Sequence, residues 1–418
     1  MIRAVDAIVV GAGLAGLSCA RRLVEKGLRP LVLESSDGVG GRVRTDVVDG
    51  FRLDRGFQVL LEAYPEARRV LDYRALDLRP FFAGALVRAD GRFHRVADPW
   101  RHPVDAALSA FAPVGTLADK MRVASLRSAV CAGSLDDLFA RPETTTLAAL
   151  RARGFSESMI DRFFRPFLGG VLLDRDLGTS SRMLEFVFRM FSLGRTALPA
   201  LGMGAIPAQL AAGLPDGAVR LSAPVAAVEA GAAVLASGER CAARAVVVAC
   251  DGPSAARLLS ELPAPGSRGV TCLYFAAARP PLEEPILVLD GEGEGPVNNL
   301  CVPSALSRAY APPGQALVSA TVLGIPSADD ATLEAAVRRQ LAGWFGDEAG
   351  AWRHLRSYRI PHAQPSQEVG VLEPAARPVG VRDGIYVCGD HRDTASIQGA
   401  MLSGRRAADA VAADAARG

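Results

Sequence analysis

Between a short apolar run, Ala7-Ile8-Val9-Val10, and the periodic segment Leu14–Lys26, the chain carries Gly11-x-Gly13-x-x-Gly16. No other feature restricts the fold as much. The run before it has the β-branched composition of a buried strand. After it, Leu14, Leu17, Ala20, Leu23 and Val24 recur on one helical face until Gly27 stops the pattern. Leu31-Val32-Leu33 then reads as a second strand ending at Glu34. Strand, turn, helix and strand within about 30 residues form one unit of a parallel α/β sheet. The glycines have separate jobs: Gly11 permits the tight turn, Gly13 admits a pyrophosphate to the backbone, and Gly16 lets helix and strand pack closely. Ala12, Leu14 and Ala15 fill the loop and open the helix, whose N-terminus attracts anions. Glu34 stands where a carboxylate can accept hydrogen bonds from a ribose, so the opening reads as a dinucleotide site.

Two further constellations extend this reading. Directly after Glu34-Ser35 come Gly38-Val39-Gly40-Gly41-Arg42, an extended glycine loop whose arginine can neutralise a second face of the pyrophosphate. Near the C-terminus, Tyr386-Val387-Cys388-Gly389-Asp390 reads as a strand delivering an aspartate. Ser396-Ile397-Gln398-Gly399 then starts a helix whose N-terminus can stabilise negative charge on a flavin ring.

Composition excludes several classes. The 418 residues carry a net charge of +2 from 47 basic and 45 acidic side chains, so no bulk field favours nucleic acid. Lys26 and Lys120 are the only lysines. The seven cysteines are scattered, with no C-x-x-C pair, which fits a reducing cytoplasm and no metal site. Met1–Ala20 has the outline of a secretory leader, but Asp6 interrupts it and its glycines belong to the motif above. No run of roughly 20 apolar residues predicts a spanning helix. A mean hydropathy of +0.19 nonetheless leaves room for an apolar cavity or a membrane-facing patch.

Between Phe81 and Ala200 the sequence alternates proline breaks with helical patterns, such as Leu117–Leu138 and Ser180–Phe191. Further helices are expected at Gly202–Leu214, Thr332–Phe345 and Gln398–Ala412. Short strands are expected at Val225–Val228, Ala233–Leu235, Ala245–Ala249, Ile286–Leu289 and Leu317–Leu323. Pro99–Val130 carries Trp100, Val104, Leu108, Phe111, Leu117 and Met121 mostly at helical spacing. It is expected to be a core-facing helix pair, the alternative being a lipid-facing entrance to a substrate tunnel.

Together these pieces resemble the flavin-containing amine oxidase, phytoene desaturase and protoporphyrinogen oxidase superfamily. Val5–Thr45 looks like its FAD-binding head, and Gly56-Phe57-Gln58 like the turn that approaches the flavin. Val225 sits where the family's backbone meets adenine, and Arg359–Pro365 with Gly389-Asp390 looks like its closing region. The resemblance implies FAD held by Gly11, Ala12, Gly13, Leu14, Ala15, Gly16, Glu34, Ser35, Gly40, Gly41, Arg42, Gly56, Phe57, Gln58, Val225, Gly389, Asp390, Ile397 and Gln398. It implies an α/β fold: a Rossmann-like FAD-binding domain of glutathione-reductase type with a mixed helical and antiparallel-sheet substrate domain. The expected division is 1–80, 201–268 and 366–418 for FAD, and 81–200 and 269–365 for substrate.

The amine-oxidising branch commonly holds a water near the flavin with a lysine of the substrate domain, and neither Lys26 nor Lys120 is placed for that. Arg165-Pro166-Phe167-Leu168-Gly169-Gly170-Val171 looks closer to the desaturase and porphyrinogen-oxidising side. The expected activity is therefore dehydrogenation, or reduction, of a C–C or C–N bond in an apolar or polycyclic molecule. Oxygen or a quinone would be the electron acceptor, in a cytoplasmic protein with room for peripheral membrane contact. Amine oxidation, polyene isomerisation and a cofactor-free escort on the same fold, like the Rab escort family, are the alternatives. His362 and Tyr358, and after them His391, are the catalytic candidates because they border the closing motif.

Overall fold

The computed structural model describes residues 5–109 and 112–417; Met1–Ala4, within the leader-like stretch, and Phe111 lie outside them. Ala7–Val10 runs through the middle of a six-stranded sheet, parallel to Pro30–Leu33 on one side and Ala245–Val248 on the other. Val219–Arg220 continues one edge; Ile385–Val387 and the antiparallel Gly380–Arg382 continue the other. The middle strands are buried on both faces, which is why they carry no polar residue. Ala7 and Val9 join the helical side with Leu17 and Met401, whereas Ile8 and Val10 pack with Val228, Ala233 and Leu235. The latter belong to an antiparallel meander, Val225–Glu229, Ala232–Leu235 and Arg240–Ala242. On the helical side Leu14–Glu25 lies against Ile397–Ala415. The contact is so close that a Cβ on Gly404 would stand 2.1 Å from the Ala15 carbonyl oxygen.

A second, seven-stranded sheet runs in the order Arg353–Pro365, Ser267–Ala277, Ala316–Leu323, Val297–Cys301, Leu287–Asp290, Gly84–Ala89, Arg92–Ala97. It is antiparallel except where Leu287–Asp290 joins Gly84–Ala89 in parallel. The helix Asp330–Phe345 covers one face with Leu333, Val337, Leu341 and Trp344. The strands and helices expected after Gly202 match these elements to within about three residues, and the helix expected at Gly202–Leu214 is Ala205–Ala212. The fold is the expected pairing of a Rossmann-like layer with a helical and antiparallel-sheet layer.

Three expectations for residues 81–200 need correction. The segment opens on a hairpin, not a helix: Gly84–Ala89 pairs with Arg92–Ala97 through Asp90 and Gly91, both left-handed at φ 51° and 73°. Ala85, Val87 and Ala89 alternate inward with strand period. The long helix from Leu117 stops at Cys131. Gly133 (φ 71°) turns the chain, and Ser134 with Asp137 caps a new helix, Leu135–Phe139. Finally, Pro99–Val130 is not core-facing throughout. The helix Pro103–Leu108 buries no residue, and Val104, Leu108, Leu117 and Met121 are 72%, 78%, 67% and 65% exposed. In the second helix the reason is Asp119, fully buried, which accepts from Ser156 N and Oγ (2.9 and 2.7 Å) and from Thr116. It turns the face bearing Leu126 and Val130 inward, so Leu117 and Met121, one helical turn apart, look outward.

Candidate functional site

A cavity of about 820 Å³ opens at the carboxyl ends of the parallel strands. At one end it is lined by Gly11, Gly13, Leu14 and Ala15, by Glu34 and Ser35, and by Gly40, Gly41 and Arg42. Gly11 takes φ 107°, which an L side chain rarely adopts. A Cβ on Gly16 would stand 1.9 Å from the Gly11 carbonyl oxygen, whereas one on Gly13 would meet nothing within 4 Å. Gly16 is thus a packing glycine and does not line the cavity, while Gly13 faces open space. The helix that follows has neither a side-chain cap nor an acidic residue in its first turn. Its amides are the natural partners of an anion. Gly40 N–H donates to the Ala12 carbonyl (2.8 Å), bracing the second glycine loop against the first. These features fit a nucleotide pyrophosphate.

Glu34 is 7% exposed and already busy. Its Oε2 accepts from Ala12 N–H (2.7 Å), and its Oε1 from Ser36 N–H (2.9 Å) and Oγ (2.8 Å). It sets the shape of the glycine turn as well as reaching the cavity; Ala12 itself is buried behind it. Val225, with Ala223 and Pro224, closes this end. The Arg42 guanidinium donates to Asp390 Oδ1 (2.8 Å) and to the Ala363 carbonyl (2.9 Å), tying the opening loop to two late segments. Ser403, a brace the sequence reading did not single out, donates to the Gly389 carbonyl and accepts from the Gly389 N–H, both at 2.9 Å. Ser396 and Ile397 bring the final helix's N-terminus to the cavity. Gln398 does not reach it, because its Oε1 accepts from Glu66 N–H (2.8 Å).

The other half is apolar. Gly56, Phe57 and Gln58 lead into Val59, Leu61 and Tyr64; Phe167, Gly170 and Val171 face Met183, Val187 and Phe191; Leu287, Leu289 and Asn299 come from the second sheet. Phe167 stacks on Phe163 at 5.4 Å and meets Phe191 at 5.2 Å. Its helix, Arg165–Leu172, follows a π-helical turn at Ile160–Phe164, where Pro166 lacks an amide to continue a regular ladder. The acids among the lining residues are Glu34, Asp251 and Asp390, all at the nucleotide end, and no lysine lines the cavity. Lys120 donates to the Ser109 carbonyl (2.8 Å), and Lys26 stands on the outer surface by Asp409.

None of the three catalytic candidates lines the cavity. The Tyr358 O–H donates to Asp46 Oδ2 (2.7 Å), and its ring meets Tyr274 edge-on at 6.0 Å. His362 is exposed on its strand. His391 is buried behind Gly389, and that burial lowers its imidazole to about 4, so it is neutral at neutral pH. Their position beside a motif was the only argument for them, and the motif's strand and turn point these side chains elsewhere. Met183, Val187, Phe191, Leu287 and Leu289 were missed because apolar periodicity marks any core residue alike. No group of His, Cys, Asp and Glu among the described residues is arranged to hold a metal.

The family described as flavin containing amine oxidoreductase matches residues 14–412. The 15-cis-phytoene desaturase of Narcissus pseudonarcissus is 38% identical over 69 residues, 16% of this chain and 12% of that protein. The chain therefore matches about an eighth of that relative's length. A crystal structure of a putative protoporphyrinogen oxidase from Exiguobacterium sp. 255-15 superposes with a TM-score of 0.72 at 19% identity, covering 99% of this chain and 100% of that one. Wild-type putrescine oxidase bound to putrescine superposes with a TM-score of 0.72 at 18% identity, covering 98% and 99%. At such identities the likeness is one of fold.

Proposed function

Because the chain belongs to the flavin containing amine oxidoreductase family, and is thus an FAD-dependent oxidoreductase, we propose that it moves two hydrogens across a C–C or C–N bond of a neutral, fairly apolar molecule. The observation that carries this is the apolar half of the cavity, where phenylalanine, leucine and valine side chains meet with neither an acid nor a lysine. A substrate ammonium buried there would lose its hydration without gaining a counter-ion, whereas a polycyclic or polyene body loses nothing. Bound FAD supplies the two-electron chemistry, and oxygen or a quinone serves as the second reactant.

The chain's own part is binding, orientation and exclusion of water. The Gly11–Gly13 backbone and the uncapped helix hold the pyrophosphate, with Gly40 and Gly41 on its second face. Glu34 holds the ribose, Val225 the adenine, and Ile397 brings a helix N-terminus towards the ring. The Arg42–Asp390 pair keeps the two loops at a fixed spacing. Residues 1–80, 201–268 and 366–418 make the FAD domain, and 81–200 and 269–365 the substrate domain. Anaerobic bleaching of the holoenzyme's flavin tests the reading. A porphyrinogen or a carotenoid precursor should bleach it and benzylamine should not; bleaching by amines alone would overturn it.

The exposed faces of the helices Pro103–Leu108 and Leu117–Cys131 are assigned a lipid surface. Among the described residues no helix is long and apolar enough to cross a membrane. Val104, Leu108, Leu117 and Met121 instead offer a shallow apolar face flanked by Trp100, whose ring lies 4.3 Å under the Arg127 guanidinium. Arg101 ties this face to the cavity wall by donating to the Phe191 carbonyl (3.1 Å).

A further inference from the structure

We infer that Leu173 is a specificity-determining residue whose side chain lies against the apolar body of the substrate; this rests on the function proposed above. Leu173 ends the helix Arg165–Leu172 with φ 52° and ψ 37°, a left-handed turn that a bulky L side chain rarely adopts. Its N–H and that of Asp174 (3.2 Å) both donate to the Gly169 carbonyl, the bonding of a helix stop where glycine or asparagine is usual. The turn is held from both sides. Asp174 Oδ2 accepts from the Thr179 N–H and Oγ1, both at 2.7 Å, and Arg165 donates to the Arg175 carbonyl (2.7 Å). So locked, the chain keeps a conformation that leucine itself disfavours.

Leu177, four residues on, shows what can offset such a conformation. It is left-handed too, at φ 57°, but it is 0% exposed and packs in the main core. Leu173 has no such compensation. It is only part-buried and, among the described residues, joins none of the three hydrophobic clusters. What it does line is the cavity, beside Phe167, Gly170 and Val171 of its own helix. A leucine strained in its backbone and idle in the core gains its burial only when an apolar ligand fills that space. Glycine or asparagine would close the helix with less strain, but neither would bring apolar surface to the ligand.

The test titrates the FAD-loaded enzyme anaerobically with 2-ethylnaphthalene, read by the perturbation of the flavin spectrum, and melts the apoproteins in parallel. Leu173→Gly and Leu173→Asn should each bind the naphthalene about tenfold more weakly than the wild type. Both apoproteins should melt no lower than the wild type, because each new residue accepts the left-handed turn. Asparagine adds less freedom to the unfolded chain than glycine does, so Leu173→Asn decides the matter if the two melt differently. Melting below the wild type would overturn the inference by making the side chain a packing group. So would a loss of FAD affinity as large as the loss of ligand affinity, which would give Leu173 to the cofactor. Variants that bind the naphthalene as tightly as the wild type would sink this inference alone. If the wild type binds benzylamine and not the naphthalene, the function proposed above falls first and takes this inference with it.

Discussion

Asp54 stands apart from the cavity but under the turn that forms its wall. Its Oδ1 accepts from Thr45 Oγ1 and from Met203 N–H (2.8 Å), its Oδ2 from the Tyr310 O–H (2.9 Å), and its carbonyl from the Tyr274 O–H (2.8 Å). Burial pushes its carboxyl up to about 6, against the pull of these donors. The unfolded chain releases this proton near its ordinary value of 3.8, so folding loses stability as pH rises through about 4 to 6, roughly 3 kcal/mol in all. Asp54→Asn stays neutral and keeps an oxygen for Met203. Its melting temperature should therefore gain on the wild type across that window; parallel curves for the two proteins would contradict the account. His391 shifts the other way, its stability contribution lost as pH falls towards about 4, but both proteins carry it and the comparison cancels it.

At the scale of elements the glycines separate fit from fold. Gly16→Ala would press a methyl group against the Gly11 carbonyl oxygen at 1.9 Å, and should destabilise the apoprotein by about 1–3 kcal/mol and strip it of FAD. Gly13→Ala has room for its Cβ and should melt within about 1 kcal/mol of the wild-type apoprotein, yet retain FAD poorly because the methyl group stands where a phosphate would lie. Melting of the apoproteins and flavin absorbance after desalting check both, and a Gly13→Ala protein that stays fully yellow would sink the cradle. The opening unit was legible because its signal is local: three glycines, two strands and one helix within a single stretch. The hairpin at Asp90-Gly91 was equally local and was overlooked beneath the prolines around it. The apolar half of the cavity was legible only in part: Phe57, Phe167, Gly170 and Val171 stood in motifs, whereas Tyr64, Phe191, Leu289 and Asn299 come from separate elements and share no spacing. His362 and Tyr358 show the opposite failure, a suitable chemistry whose direction only the backbone decides.

At the scale of the whole molecule the exposed helices Pro103–Leu108 and Leu117–Cys131 are tied to the cavity wall through Arg101, which donates to the Phe191 carbonyl. If lipid covers Val104 and Leu108, the wild type should float with vesicles of mixed phosphatidylcholine and phosphatidylglycerol, and a Val104→Ser, Leu108→Ser double variant should stay below. A wild type that never floats removes the membrane from the account and leaves the soluble reaction untouched. Arg42 and Asp390, meanwhile, meet across 348 residues of sequence. The strand order compounds this: Ala7–Val10 waits for Ala245–Val248, and that strand for Ile385–Val387. Synthesis would have to pass Asp390 before the coenzyme had a complete cradle. FAD uptake is therefore expected to wait for that late segment, long after the opening glycine loop has been made.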